Sequence, residues 1–329
     1  MNQFDSEVTA LVAEASLAPS VHNTQPTRWR LAADGSILVL EDTLRRLKIG
    51  DPTGRDADVS HGAAIEGFAL AASCRGFGVA VEPLLGPPLA ELRPVARLSL
   101  VTGQTPDELA QPARLRRTYR GAFAPARTGT ALDSLERADD VILLRKASDI
   151  AQIAALNDAA SLRLYRHAPF RAELLSWMRL SRSDPRWSID GLNAEAMEMS
   201  RLEAAGASFV LARGVFETLD RIGVAGPLIA EAPVVRSAEA IALFHRPEAE
   251  TPLETGRRFY RFWLEIAALG LSAAPMAVLA DDPLAASEIR LSFGLPLDRR
   301  LITAFRLGLA PRHPTGPKPR LPLDTLLVA

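Results

Sequence analysis

The chain has 329 residues, of which 48% are hydrophobic, so it can bury a large core and its length allows two domains. Its 38 basic and 39 acidic residues leave a formal net charge of -1, which argues against nucleic acid or an anionic membrane as the principal partner. No run of roughly 18 apolar residues indicates a membrane span. A single cysteine and the lack of a signal sequence in the first residues lead us to expect a cytoplasmic protein.

The first predicted element is an N-terminal helix that leads into a polar loop. Apolar residues recur at helical spacing from Val8 to Leu17. Pro19 and Pro26 bound the loop and prevent the helix from continuing. Amides and hydroxyls at the density found there suit the polar edge of a flat heterocycle, although a polar turn explains them equally well. The hydrogen-bonding side chains of the loop are Ser20, His22, Asn23, Thr24 and Gln25.

A hairpin and a second helix are predicted next. Strands at residues 29–31 and 37–40 flank an Asp-Gly pair that is typical of a tight turn. The helix at about 59–77 is poor in polar residues and rich in glycine and alanine, which let another backbone approach, so we predict a buried central helix. On it, Cys74 is interpreted as a core thiol and His61 as a solvated or capping residue rather than a catalytic one.

The sequence contains a diverged internal repeat. The segment from Gly62 to Gly76 and the segment from Gly256 to Gly270 have the same length and carry apolar residues at corresponding positions. Two unrelated helices with glycine after their last turns would also give this match. Interpreted as a repeat, it predicts two copies of one structural unit.

The other predicted elements complete two αβ halves, with residues 103–111 as the boundary between them. A long stretch at 169–214 is broken by turn signals and carries bulky apolar residues, which fit core packing and contact with a ligand equally well. Strands are predicted at 79–85, 95–101, 141–144, 232–237, 239–244 and 301–307, and helices at 131–138, at 149–165 and up to a Gly-Leu-Pro turn at 294–296.

An arginine cluster opens the second half. Arg116, Arg117, Thr118 and Arg120 place three guanidinium groups and a hydroxyl within five residues. Guanidinium forks match phosphate oxygens with two parallel hydrogen bonds, so a phosphate site is chemically reasonable. Without further information, a solvated basic face explains such a cluster more often.

Both segments resemble motifs of the FMN-dependent nitroreductase family. The loop reads Pro-Ser-x-x-Asn-x-Gln-Pro from Pro19 to Pro26, with an aromatic residue at Trp29, and resembles the family's flavin-ring loop. In the family an aromatic more often follows the second proline directly. The cluster that begins at Arg116 resembles the Arg-Arg-Ser-x-Arg signature that holds the FMN phosphate, with Thr118 in place of serine.

Two segments near the C-terminus extend the resemblance. Ser272, Ala273 and Ala274 occupy the positions of the family's Gly-Leu-Gly-x-x-Pro segment, whose backbone passes the N5 and O4 edge of the flavin, and Ser272 replaces the second glycine. Lys318 and Arg320, in the proline-rich tail, match a closing basic pair that completes the phosphate site. As a bare tail, this segment would be a solvated linker.

The resemblance is to the Acg-like branch in particular, in which two nitroreductase-type halves are fused in one chain. It implies an internally duplicated α+β fold, with mixed sheets flanked by helices around a central helix pair. The implied halves are residues 1–105, with the flavin-ring loop, and 106–329, with the phosphate site. The segment 169–214 corresponds to a lid over the flavin. Because only the second half has the arginine cluster, we expect one complete site.

The implied activity is an oxidoreductase with FMN as cofactor, which transfers hydride from NAD(P)H to a nitroaromatic, a quinone or a similar small molecule. Flavin N5 would carry the chemistry, and no catalytic side chain and no metal are predicted. The chain would be a monomer that mimics the family dimer, with a further oligomer left open. Two alternatives remain: a protein that sequesters FMN beneath the lid without turnover, and a cofactor-free α+β protein.

Overall fold

The computed structural model describes residues 3–125, 129–136, 138–312 and 318–328 of the chain. None of the helices in these ranges is long and apolar enough to cross a membrane. The α-helices are α1 Gln3–Ala15, α2 Arg55–Ser73, α3 Pro112–Leu115, α4 Ala131–Glu136, α5 Ala147–Arg166, α6 Ala168–Trp177, α7 Arg201–Val210, α8 Val215–Arg221, α9 Ala225–Ile229, α10 Ala232–Arg236, α11 Pro252–Ala268, α12 Val278–Asp281, α13 Pro283–Phe293 and α14 Leu323–Leu326.

The strands form two four-stranded sheets and one short pair. The first sheet has the order β1-β2-β4-β3, and the second has the order β5-β8-β10-β9. A parallel pair of two-residue strands, β6 and β7, lies apart from them. The strands are β1 Thr27–Leu31, β2 Ile37–Asp42, β3 Phe77–Pro83, β4 Leu92–Thr102, β5 Val141–Leu144, β6 Met178–Arg179, β7 Leu192–Asn193, β8 Ala240–Pro247, β9 Ser272–Met276 and β10 Arg299–Gly308.

The two sheets are built in the same way. In each, a long helix separates the second strand from the third in chain order, since α2 lies between β2 and β3 and α11 lies between β8 and β9. The strand orders also correspond one to one. The predicted α+β fold with internal duplication is therefore confirmed.

One detail of the predicted sheets is corrected. All neighbouring strands of both four-stranded sheets are antiparallel; between β1 and β2 a short turn reverses the chain directly. Parallel pairing at the sheet edges is limited, in the described part of the chain, to single bridges from Leu327 to Trp29 and from Thr118 to Ala273. Only these bridges give the sheets a mixed character.

Helices α2 and α11 form the predicted central pair. A Cβ atom on Gly62 would lie 2.0 Å from the carbonyl oxygen of Leu253, and a Cβ atom on Gly256 would lie 2.0 Å from that of Val59. No real side chain fits in that space, so glycine is required at both positions for the backbones to approach this closely. The two segments of the sequence repeat therefore meet at equivalent residues.

Local sequence sets the ends of these helices. Thr251 caps α11 with its side chain, and Pro252 occupies the first turn, where its missing N–H costs nothing. Acidic residues in the first turn of α2 interact favourably with the helix dipole. Gly76 and Gly270 follow the last turns and have left-handed φ angles of 80° and 73°, which glycine adopts without strain.

The predicted hairpin is confirmed and packs on α2. Leu31 pairs with Ile37 across the turn. Trp29 of β1 stacks on Phe68 of α2, with ring centroids 5.2 Å apart. This contact fixes the start of β1 against the central helix, and therefore also fixes the polar loop that immediately precedes β1.

Most of the other predicted strands and helices are present, but three interpretations are wrong. Residues 232–237 form helix α10 instead of a strand, because Pro233 supplies the φ of a first helical turn and a short apolar run does not distinguish the two. Cys74 is exposed, since it follows the last residue of α2. His61 is completely buried, and its Nδ1 lies 2.9 Å from the hydroxyl of Thr27 on the covering strand.

Candidate functional site

The polar loop has an unusual backbone. Residues 21–23 form a single 3-10 turn, and His22, Asn23 and Gln25 have left-handed φ angles of 44°, 54° and 51°. Residues other than glycine rarely adopt this region, and such strain concentrates at functional sites. The hydroxyl of Ser20 supports the turn by accepting a 2.9 Å hydrogen bond from the backbone N–H of Gln25.

Asn23 connects this loop to two distant parts of the chain. Its Nδ2 donates to the carbonyl oxygens of Gly191 and Pro319, each at 3.2 Å, and its Oδ1 accepts from Arg320 at 3.0 Å. The backbone N–H of Gly191 in turn donates to the carbonyl oxygen of Asn23 at 3.2 Å. The loop, the 169–214 segment and the C-terminal tail therefore meet at one residue.

Gln25 makes a similar pair of connections. Its Nε2 donates to the carbonyl oxygen of Ile189 at 2.9 Å, and its Oε1 accepts from the backbone N–H of Leu321 at 2.8 Å. The amides predicted to face a heterocycle are therefore bonded to protein groups in this structure. Their observed role is to hold the segment and the tail against the loop.

His22 differs from its neighbours in the loop because its Nδ1 is buried and has no hydrogen-bond partner among the described residues. Burial, together with the guanidinium of Arg120, lowers the pKa of His22 to about 4, against a smaller opposing effect of Glu173. The imidazole is therefore neutral at physiological pH. A neutral, unpaired ring nitrogen in a strained loop is available to a ligand.

Arg116 is held by aromatic rings and not by a carboxylate. Its guanidinium carbon lies 4.5 Å from the ring centre of Trp263 and 5.8 Å from that of Tyr260, both on α11. One Nη donates to the carbonyl oxygen of Leu17 at 3.0 Å, while Nε is buried without a partner. Burial lowers the pKa of Arg116, and cation–π contact partly compensates for lost hydration.

The tail cations lie against the same place. Arg320 donates to the carbonyl oxygens of residues 16–18, which directly follow α1. Its positive charge therefore lies at the negative end of the dipole of α1. Lys318 Nζ donates to the carbonyl oxygen of Arg114 at 2.8 Å. Burial, together with the positive charges of Arg116, Arg117 and Arg320, lowers the pKa of Lys318 to about 7.

The cluster of Arg116, Lys318 and Arg320 carries uncompensated positive charge. Within the described ranges, none of these three residues forms an ion pair with a carboxylate, and the charges that lower the pKa of Lys318 are all arginines. Cations are normally buried only when they are paired. Their helix-capping contacts offset part of the charge, and an anionic group bound among them would offset the rest.

The remaining predicted positions adjoin the cluster through the second sheet. Thr118 forms a parallel bridge with Ala273 of β9, and the next backbone N–H, of Tyr119, donates to the carbonyl oxygen of Ala273 at 3.0 Å. Arg120 donates to the carbonyl oxygen of Ala196 at 3.0 Å, in the 169–214 segment. Burial lowers the pKa of Arg120 to about 10.

The 169–214 segment is fastened over the loop by a buried ion cluster. Asp190 is completely buried and accepts from Arg45, Arg179 and Arg186. All three guanidinium groups also lie within 6 Å of the ring centre of Trp177. Since Arg45 also donates to the carbonyl oxygen of Thr24, this cluster joins the 169–214 segment to the polar loop.

The structure therefore brings the predicted site residues into one region, although some are almost 300 positions apart. Sequence analysis missed Tyr260 and Trp263 of α11, which border the cationic cluster. The sequence did contain one sign of Tyr260. When the two copies of the repeat are aligned on Gly62 and Gly256, Tyr260 occupies the position of Glu66, so the two copies differ there. The predicted residues linked by these contacts are Ser20, His22, Asn23, Gln25, Arg116, Arg117, Thr118, Arg120, Ser272, Ala273, Ala274, Lys318 and Arg320.

Comparison with known proteins agrees with the motif resemblance. No family model matches the chain. A Mycobacterium tuberculosis protein named as a candidate NAD(P)H nitroreductase, acg, is 26% identical over 339 residues, which cover 96% of this chain and 94% of that protein. A second protein of the same organism, Rv3131, with the same kind of name, is 28% identical over 270 residues, which cover 76% and 78%.

Solved structures of nitroreductases are also similar, at low scores. A candidate nitroreductase from Anabaena variabilis covers 93% of this chain and 88% of its own, with 10% identity and a TM-score of 0.43. The FMN-dependent nitroreductase NfnB from Mycobacterium smegmatis, solved with NADPH, covers 66% and 97%, with 19% identity and a TM-score of 0.38. These relatives in sequence, of which acg is matched over nearly its whole length, confirm that this chain resembles the nitroreductase family and its Acg-like proteins in particular.

Proposed function

We propose that the chain is an FMN-binding oxidoreductase of the nitroreductase type, which uses NAD(P)H to reduce a small oxidised acceptor such as a nitroaromatic or a quinone. The observation that carries the proposal is the meeting of the strained polar loop with the uncompensated cations, through the 3.0 Å hydrogen bond from Arg320 to Asn23. Similarity to relatives named for this activity supports it.

The cationic cluster fits the phosphate of FMN. A phosphate monoester carries close to two negative charges at neutral pH and offers only acceptors. Arg116 and Arg320 present guanidinium groups, Lys318 presents an ammonium, and Thr118 adds a hydroxyl. The orphaned Nε of Arg116 indicates that the protein alone does not satisfy these donors. No comparable cluster precedes the polar loop in the first half, so one phosphate site is proposed for each chain.

The loop and the edge strand fit the two sides of a flavin ring. His22 offers a neutral imidazole nitrogen, and Ser272, Ala273 and Ala274 of β9 offer small side chains beside a backbone that a planar group can approach. When bound, FMN would supply reversible hydride transfer at its N5 atom. The role of the protein is to orient the ring, to supply hydrogen-bond donors to it and to exclude water.

We also propose that the chain mimics a dimer of nitroreductase units. The halves would be residues 1–105, with the ring loop, and 106–329, with the phosphate site, and residues 169–214 would serve as the lid. The matching strand orders of the two sheets support the duplication. The glycine-to-glycine contact between α2 and α11 supports a pseudo-twofold arrangement of the halves around the central helices.

Anaerobic reduction tests the activity. Protein loaded with FMN is mixed with NADH or NADPH in the absence of oxygen, and the flavin absorbance band is followed before and after a quinone is added. The proposal expects rapid bleaching and full recovery on addition of the quinone. Flavin that stays oxidised for many minutes with both nucleotides would contradict turnover.

A sequestering protein is the second candidate, and one observation favours it. The reciprocal hydrogen bonds between Asn23 and Gly191, together with the Asp190 ion cluster, fasten the 169–214 segment over the loop. Slow bleaching in the intact protein, combined with fast bleaching once those contacts are removed, would favour sequestration over turnover.

A further inference from the structure

Tyr260 lies on α11 next to the cationic cluster and belongs to none of the motifs above. Its side chain is completely buried. Its ring packs toward α2, since a Cβ atom on Gly67 would lie 3.4 Å from Cε1. Its hydroxyl makes no hydrogen bond of ordinary geometry with a described residue, and the one side chain that approaches it as a donor is the guanidinium of Arg116. Because buried hydroxyl groups in proteins are normally hydrogen-bonded, this one requires an explanation.

The groups around this hydroxyl are donors. Arg116 lies 5.8 Å from the ring centre, and its own Nε is also buried and unpaired. Burial raises the pKa of Tyr260, while the positive charges of Arg116 and Arg320 act in the opposite direction. The hydroxyl is therefore protonated at neutral pH and can donate. Two unsatisfied donors beside unpaired cations suit a group that only accepts hydrogen bonds.

The acidic side chain that acts on Tyr260 is already paired with two arginines. Glu66 of α2 also acts on the pKa of Tyr260. Its side chain is only 5% exposed and forms ion pairs with Arg257 at 2.9 Å and with Arg261 at 2.8 Å. It therefore does not serve as the acceptor. In the repeat, Glu66 and Tyr260 occupy equivalent positions, so an acidic residue in one half corresponds to a donor in the other.

We propose that Tyr260 is a further phosphate ligand, which donates its hydroxyl hydrogen bond to an oxygen of the phosphate monoester held by Arg116, Lys318 and Arg320. This inference rests on the proposed FMN site and extends it to a residue on the central helix. It also agrees with the proposal of a single phosphate site, since the equivalent residue of the first copy is Glu66, a paired carboxylate that offers no hydrogen-bond donor.

The test compares Tyr260→Phe with Tyr165→Phe. The second variant is the matched control, because it also removes one hydroxyl from an inward-facing tyrosine but lies outside the cationic cluster. FMN and riboflavin are titrated into protein stripped of flavin. Tyr260→Phe should raise the Kd for FMN about tenfold, the effect expected of one hydrogen bond to a charged group, and leave the Kd for riboflavin within about twofold. Tyr165→Phe should change neither. Equal loss of both ligands, or no loss, in Tyr260→Phe overturns the inference.

Thermal unfolding separates a structural role from a binding role. Since the hydroxyl makes no hydrogen bond of ordinary geometry within the described part of the chain, Tyr260→Phe without ligand should melt no lower than the wild type, and a Tm lower by several degrees overturns the inference. If the wild type binds no FMN, the proposed function fails instead. The inference is then tested with inorganic phosphate alone: a phosphate-dependent rise in Tm that Tyr260→Phe loses supports it, and an equal rise in both proteins overturns it.

Discussion

Gly62 and Gly256 face each other where the two central helices cross, and neither position has room for a single additional carbon atom. The atoms that would be struck are backbone carbonyl oxygens, which cannot move aside as a flexible side chain could. The relationship is reciprocal, since each glycine meets the helix that carries the other. It is a direct backbone contact between the two copies of the repeated unit.

Alanine at either position should therefore separate the helices. Gly62→Ala should lower the free energy of unfolding by about 3 kcal/mol or more, because the strain falls on two packed backbones. Gly206→Ala on α7 is the matched control, since a Cβ atom there meets nothing within 4 Å. That variant should be more stable by about 0.5–1 kcal/mol, the usual gain from alanine in a helix. Urea unfolding measures both, and equal effects would disprove the close crossing.

Arg116 should contribute to FMN affinity through the phosphate. Arg116→Ala should weaken FMN binding about tenfold or more and should affect riboflavin far less, because only FMN carries a phosphate. Arg114→Ala is the control, since that side chain is 71% exposed and only its backbone carbonyl touches Lys318. Parallel titrations with both flavins measure the effect. Equal loss of both would mean that Arg116 supports the fold and not the phosphate.

Lys318 should make FMN binding depend on pH. Its pKa in the free protein is about 7, and a bound phosphate raises that pKa by stabilising the ammonium, so binding takes up a proton above pH 7. FMN affinity should be highest at about pH 6–7, where the phosphate is largely a dianion, and should fall as pH rises through 7. Titrations at several pH values measure this dependence.

The control variant for that experiment is Lys318→Met, which should bind FMN more weakly at pH 6.5 and lose most of the decline above pH 7. Riboflavin affinity should stay flat over the same range in the wild type. An unchanged pH profile in Lys318→Met would assign the proton uptake to another group.

The ion cluster around Asp190 should control access to the flavin more than affinity for it. Asp190→Asn removes the charge that holds Arg45 of the first half against the 169–214 segment. Bound flavin in this variant should be reduced by NAD(P)H several times faster, because the cover opens more often. Trp177→Ala should act in the same direction, since its ring lies against the same three arginines. Stopped-flow reduction under anaerobic conditions measures the rate.

Glu195→Gln provides the control, because it breaks an ion pair with Arg182 on the outer side of the same segment, where the arginine is 69% exposed. Its reduction rate should match the wild type, since exposed pairs contribute little. If Asp190→Asn releases FMN while the retained flavin is reduced at the normal rate, the segment is a structural wall and the lid proposal fails.

The convergence of the site could be predicted from sequence through the resemblance of its motifs to the nitroreductase family, because the residues alone also allowed a polar turn and a solvated basic face. Asn23 and Arg320 were both assigned to the site by motif, and they are hydrogen-bonded although 297 positions separate them. The repeat likewise marked the two segments that form the central helix pair, although their crossing at Gly62 and Gly256 was found only in the structure. These features are local in sequence and do not require knowledge of packing.

The predictions that were wrong or incomplete concern features that depend on tertiary packing. The apolar run at 232–237 fits a strand as well as a helix, and the packing of α10 beside α5, together with Pro233 in its first turn, decides for a helix. Asn23 and Gln25 were predicted to face the ring. In the structure Gln25 is instead hydrogen-bonded to the backbone of Ile189 and Leu321, and the position of these distant residues cannot be deduced from the loop sequence. Tyr260 reads as a core aromatic until the arginines beside it are placed.

The central claim is one FMN site for each chain, built from the ring loop of the first half and the phosphate cluster of the second. The most direct measurement is the amount of flavin released from denatured protein, compared with the protein concentration after saturation with FMN. The account predicts one equivalent of FMN per chain. Two equivalents would contradict the asymmetry between the halves, and none would contradict the flavin site itself.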